Sequence, residues 1–215
     1  QASNAEQREI DSIYMSMMEE INKLQNQIRS LELESEILSQ KVGISSEDRD
    51  LLRELLDLAR LSPSAANRQP LKYYLSNTPE TNSKIFPCLA WAGYLQDWPG
   101  PADGERPAAY LIMLGDTRIT DNYLCDHGIA AQSILLGAVE KGLGGCILGA
   151  INREKLREEL QIPAYFEILL VLALGKPKET VVIEALDSDG DIKYWRDQNG
   201  VHHVPKRALK DLIIN

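Results

Sequence analysis

The chain has 215 residues, 44% hydrophobic and 26% charged, with a formal net charge of -9. That apolar content can fill a core, and the acidic balance excludes the basic face that a nucleic-acid backbone demands. No apolar run nears the roughly 20 residues that span a bilayer, and no basic stretch precedes an apolar one at the N-terminus, so neither a membrane partner nor a secretory leader is expected.

Gln1 to Ala5 (QASNA) reads as an appended stub. Residues 6–42 contain no glycine or proline. Ile10, Tyr14, Met17, Ile21, Leu24, Ile28, Leu31, Leu38 and Val42 fall at heptad a and d positions, with only Ser35 breaking the series. A seam repeating about every 3.5 residues buries itself against another helix, of a second copy or of the same chain. The alternative is one amphipathic helix lying on the domain that follows. Gly43 is a helix stop, which divides the chain into a coiled-coil-like segment, 1–43, and a domain, 44–215. Ser45 or Ser46, followed by Glu47 and Asp48, starts the next helix, because acidic residues suit its positive end. That helix reaches Leu61 and stops before Pro63.

Beyond Pro70 the pattern predicts a strand over Leu71–Leu75, a helix over Pro79–Ala90 and a loop rich in glycine and proline over Gln96–Pro107. It then predicts a buried strand at Ala108–Leu114, a helix of low polarity at Leu124–Lys141, a turn at Gly142–Gly145 and a short strand at Cys146–Gly149. A helix at Arg153–Leu160 and a buried strand at Glu167–Leu174 follow. The tail carries a turn at Asp187–Asp191, then Tyr194, Trp195 and a basic piece at Lys206 and Arg207. Helices and strands mix without βαβ alternation, which argues for an α+β fold. Cys88, Cys125 and Cys146 are widely spaced and odd in number, fitting buried thiols in a reducing, cytoplasmic setting.

The segment Ser62-Pro63-Ser64-Ala65-Ala66-Asn67-Arg68-Gln69-Pro70 lies between a helix end and a strand. Its amides and hydroxyls both donate and accept, which suits the edge of a heteroaromatic ligand; a loop that caps its own helix is the competing reading. Cys125-Asp126-His127 and His202-His203 contain metal-ligand residue types but no zinc spacing, and adjacent histidines on an extended segment point to opposite sides. No metal is expected. There is no GxSxG, Walker loop or GxGxxG.

Ala59-Arg60-Leu61-Ser62-Pro63-Ser64-Ala65-Ala66-Asn67-Arg68-Gln69-Pro70 resembles the first flavin-binding segment of the nitroreductase family. Asp126 to Ala138, running on into Lys141 to Gly149, resembles the family's central helix and the glycine turn behind it. Leu174-Gly175-Lys176-Pro177 resembles its strand-end signature, and Gly200 to Arg207 its C-terminal basic element. The matches stand in family order. The resemblance implies a homodimer with a mixed sheet flanked by helices and FMN at the subunit interface. It also implies ping-pong transfer of electrons from NADH or NADPH to a nitroaromatic, quinone or similar small acceptor. By position, Ser64, Ala65, Asn67 and Gln69 would contact the isoalloxazine ring, and Gly144 and Gly145 would let backbone N–H groups approach it. Lys206 and Arg207 would hold the phosphate.

Family members usually open with an Arg-Ser-x-Arg phosphate clamp. Here the corresponding stretch is Arg29-Ser30-Leu31-Glu32-Leu33-Glu34-Ser35-Glu36, whose glutamates would repel a phosphate. That departure keeps a second reading in view: a flavin-free dimeric scaffold with the heptad helix as its interaction arm. In the loop Ala90–Pro101, Trp91, Tyr94 and Trp98 are candidates to stack on a flat acceptor, or else to pin the loop to the core. The flavin carries the chemistry on this reading, so no side chain is singled out as catalytic.

Overall fold

Ala109-Tyr110-Leu111-Ile112-Met113-Leu114-Gly115-Asp116 is strand β2, and every one of its residues is buried. A strand hidden on both faces needs cover on both. In the computed structural model, which describes residues 14–30, 49–186 and 190–214, β2 lies inside a four-stranded sheet with β1 (Leu71–Ser76), β3 (Gly144–Leu148) and β4 (Phe166–Gly175). The order is β1-β2-β4-β3, so β2 pairs with β1 and β4 while β3 pairs with β4, and every pairing is antiparallel. The expected mixed sheet is therefore an antiparallel one.

On one face Tyr110, Ile112 and Leu114 of β2 meet Ile168, Val171 and Ala173 of β4. Helices α3 (Pro79–Ile85) and α5 (Arg153–Leu160) cover them, contributing Ile85 and Leu156, both fully buried. Alternation sends Leu111 and Met113 the other way. On that side α4 (Asp126–Glu140) packs with β3 and β4, and α2 (Arg49–Leu61) packs on α4. Gly137 of α4 makes room for α2: a Cβ there would lie 2.2 Å from Leu58 Cδ1.

Several boundaries differ from expectation for local reasons. Helix α3 stops at Ile85 rather than Ala90, because Pro87 has no N–H to continue it and a 3-10 turn, Phe86–Cys88, takes over. Helix α4 starts at Asp126 rather than Leu124, whose φ of 46° is left-handed. Gly144 and Gly145 belong to β3, paired with Gly175 and Leu174; the turn before them is made by Gly142 at φ 74°.

The tail contains a second sheet that the pattern does not predict. Strand β7 (His202–Lys206) lies between β5 (Val181–Ala185), parallel to it, and the two-residue β6 (Trp195–Arg196), antiparallel. Pro205 is tolerated in β7 because β6 pairs only with His202 and His203. Of the three free cysteines only Cys88 is buried; Cys125 and Cys146 are exposed, against the expectation of buried thiols.

The chain divides into two compact units, Gln1–Val42 and Gly43–Asn215. In the first, residues 14–30 form helix α1, with Tyr14, Met17, Ile21, Leu24 and Ile28 all exposed. The remaining heptad positions, the stop at Gly43, the start at Ser45 or Ser46 and much of the turn at Asp187–Asp191 lie outside the described residues. No described helix is long and apolar enough to cross a membrane.

Candidate functional site

The site begins where α2 ends. Ser133 of α4 donates to Ile129 O at 3.0 Å and so accepts from Ser62 Oγ at 2.8 Å, tying the end of α2 to α4. Ser64 follows in extended conformation, φ -126° and ψ 141°, and a 3-10 turn runs through Ala65–Asn67. Ala66, Asn67 and Gln69 then have φ of 50°, 53° and 52°. Three non-glycine residues in the left-handed region cost energy, and such a loop persists only where its surroundings hold it.

Asp126 provides that hold. Its Oδ2 accepts from Ser64 Oγ at 2.6 Å and its Oδ1 from the Ala65 N–H at 2.9 Å. Ser64 Oγ in turn accepts from the Gln69 N–H at 3.0 Å, and Gln69 Nε2 donates to Asn67 O at 3.2 Å. Asp126 is only 3% exposed, yet its charge is compensated: it accepts two hydrogen bonds and stands in the first turn of α4, at the positive end of the helix. The Ser64 hydroxyl thus serves as a fastener inside the loop. The Asn67 side-chain amide makes no hydrogen bond within the described residues and is exposed.

Beside the loop is a cleft of about 260 Å³ lined by Ala59, Ser62, Ser64, Gln69, Tyr73 and Asp126, among others, with Lys72 adding positive charge and Arg60 ion-paired with Asp57. Burial pushes the Tyr73 phenol up to about 12, so its hydroxyl remains a donor through the physiological range. Sequence reasoning missed Asp126, Tyr73 and Lys72 as parts of this site. An acidic residue opening a helix was the available signal for Asp126; nothing local marked the other two.

The remaining candidates lie elsewhere. Gly144 and Gly145 are on β3 and do not line the cleft. Their missing side chains serve packing within the fold: a Cβ on Gly145 would meet Leu174 Cδ2 at 2.6 Å, Leu135 Cδ2 at 2.7 Å and Ala173 O at 2.9 Å. Lys206 ends β7 and Arg207 follows it; both are exposed, and neither makes an ion pair with any described residue. They too are absent from the cleft lining.

The aromatic loop is pinned by contacts of its own. Trp91 packs on the core and lies 5.6 Å from Phe86, ring centre to ring centre. Tyr94 stands 4.9 Å from Tyr194, and the Arg196 guanidinium lies 4.3 Å over Trp98. None of the three lines the cleft.

His202 and His203 face separate carboxylates, Glu179 and Glu184, as their alternation on β7 requires, and Trp195 stacks on His203 at 4.1 Å. Among the described residues no group of three or more His, Cys, Asp or Glu is placed to hold a metal ion.

Residues 46–176 match the nitroreductase family, more than half of the chain. The chain belongs to that family. It is 29% identical over 144 residues to a protein of Archaeoglobus fulgidus provisionally named NADH dehydrogenase/NAD(P)H nitroreductase, covering 63% of this chain and 76% of that one. It is 23% identical over 158 residues to a Bacillus subtilis protein, YodC, provisionally named an NAD(P)H nitroreductase, covering 60% and 78%. Among solved structures, an FMN-dependent nitroreductase of Clostridium difficile R20291 superposes with a TM-score of 0.51 at 22% identity, over 70% of this chain and 88% of that one. A nitroreductase family protein of Clostridium novyi NT gives 0.52 at 24% identity, over 63% and 78%. At those identities the structural likeness establishes the fold alone.

The donor set fits FMN in kind. The Gln69 amide and Tyr73 phenol at the cleft suit a ring edge that both donates and accepts; Lys206 and Arg207, unpaired among the described residues and outside the cleft lining, are of the kind a phosphate needs.

Proposed function

We propose that this protein is an FMN-dependent oxidoreductase that takes electrons from NADH or NADPH and delivers them to a nitroaromatic, quinone or similar small acceptor. The observation that carries the reading is the Ser64 loop. Three left-handed residues are held beside a cleft by a buried carboxylate, leaving the Asn67 amide free for a ligand. Family membership and the names of the relatives support the redox class.

FMN, when bound, supplies the capacity to accept and release electrons; the protein orients it and tunes its surroundings. On this reading Asn67 and Gln69 address the ring edge and Tyr73 offers a hydroxyl donor from the cleft. Ser64 and Ala65 keep the loop in shape through Asp126. Gly144 and Gly145 allow the sheet edge to lie close, and Lys206 and Arg207 neutralise the phosphate. FMN held there would supply alternate reduction by the donor and oxidation by the acceptor, the ping-pong order. The cleft lining contains none of Gly144, Gly145, Lys206 or Arg207, which favours a site completed by a second copy of the chain, as a homodimer would do.

The charged pair is the most direct handle on this assignment. Lys206→Ala with Arg207→Ala is expected to lower flavin retention at least about tenfold, given that each charge-assisted phosphate contact is worth on the order of 1.5–3 kcal/mol. Equilibrium titration with FMN measures it, and an unchanged dissociation constant removes both residues from the phosphate site. The flavin-free scaffold is the second reading, favoured by Glu32, Glu34 and Glu36 where the family's clamp usually stands.

A further inference from the structure

Helix α1, residues 14–30, carries an apolar seam that is exposed among the described residues: Tyr14 is 62% exposed, Met17 58%, Ile21 43%, Leu24 53% and Ile28 56%. Their spacing alternates three and four, so Tyr14, Ile21 and Ile28 take heptad a while Met17 and Leu24 take d. We propose that α1 pairs with α1 of a second copy as a parallel, in-register, two-stranded coiled coil.

The identities at the seam set the number of strands. Isoleucine at a with leucine at d is the arrangement that packs two parallel helices, because a β-branched side chain suits the a layer and a γ-branched one the d layer. In a parallel pair each g residue meets the e residue five places on in the other helix. Within α1 that sets Glu20 against the partner's Gln25, a carboxylate–amide contact with no like charges opposed. The partner is a second copy, and the inference stands whether or not the C-terminal domain holds flavin.

Full-length Leu24→Cys, Asn26→Cys and the unsubstituted chain, which keeps its own Cys88, Cys125 and Cys146, are equilibrated in a glutathione redox buffer at micromolar concentration. Covalent dimer is read on non-reducing gels. In the parallel in-register pair the two thiols introduced by Leu24→Cys share one d layer within disulfide reach, whereas position 26 is an f position facing away. Leu24→Cys is expected to form covalent dimer on the order of 100-fold more readily than Asn26→Cys, the gain that a held pair gives over collision. The unsubstituted chain is expected to match Asn26→Cys. Ile21→Lys with Ile28→Lys in the Leu24→Cys background is expected to abolish the advantage while far-UV circular dichroism shows the domain still folded. Equal yields from Leu24→Cys and Asn26→Cys, high or low, overturn the proposal, as does an advantage that survives Ile21→Lys with Ile28→Lys.

Discussion

The Asp126 carboxylate works on two elements at once. It stands in the first turn of α4, and it accepts from the Ser64 hydroxyl and the Ala65 N–H of a loop some sixty residues earlier in the chain. Asp126→Ala removes two charge-assisted bonds and leaves the Ala65 N–H unsatisfied. The expected cost is on the order of 2–4 kcal/mol in urea unfolding, together with at least about tenfold weaker FMN binding. A variant as stable as the parent would show that the loop keeps its left-handed residues by other means. Asp116 illustrates a purely structural carboxylate. Arg118 chelates it, Nε at 2.8 Å and Nη2 at 2.7 Å, while the same guanidinium lies 3.9 Å over the Tyr165 ring. The paired arginine holds the Asp116 carboxyl below its ordinary value of 3.8, with burial opposing. A lowered carboxyl contributes stability that is fully present above that ordinary value and is lost as pH falls through the lowered one. Asp116→Asn is thus expected to lower Tm at neutral pH, with the gap to the parent closing below about pH 4. A gap that stays constant from pH 7 to pH 3 would contradict the pairing.

At the scale of elements, β3 is held by close approach. Gly145→Ala would press a methyl group on Leu174, Leu135 and the backbone oxygen of Ala173, where β3, β4 and α4 meet. Two of those neighbours are side-chain ends and one is backbone that cannot yield. The expected loss is about 1–3 kcal/mol, measurable by chemical denaturation, and an unchanged midpoint would mean that the strand shifts freely. The elements most legible in the sequence are those with one dominant local signal. β2 and β4 announce themselves as apolar runs, and α2 as a leucine stripe stopped before Pro63. The C-terminal sheet was not legible because its three strands are short and β7 contains Pro205. The β-branched run Val181-Val182-Ile183 was the one local sign of it. The Ser64 loop stood out as either a ligand segment or a helix cap, since it concentrates small and amide residues between two prolines. Its anchor at Asp126, and the place of Tyr73 in the cleft, depend on tertiary contacts that no local pattern encodes. For the aromatics of the Ala90–Pro101 loop residue type left stacking on an acceptor and pinning of the loop both open; their partners within the chain are Phe86, Tyr194 and Arg196.

For the molecule as a whole, membership in the nitroreductase family and the antiparallel α+β domain frame the account. The central claim is that this domain holds FMN and passes electrons through it. The most direct measurement is the visible absorption spectrum of the full chain after incubation with FMN and removal of the unbound excess, followed by anaerobic addition of NADH or NADPH. The account predicts a retained flavin spectrum that bleaches with the nicotinamide and returns on addition of a quinone or nitroaromatic. A folded protein that retains no flavin would contradict it and leave the scaffold reading in its place.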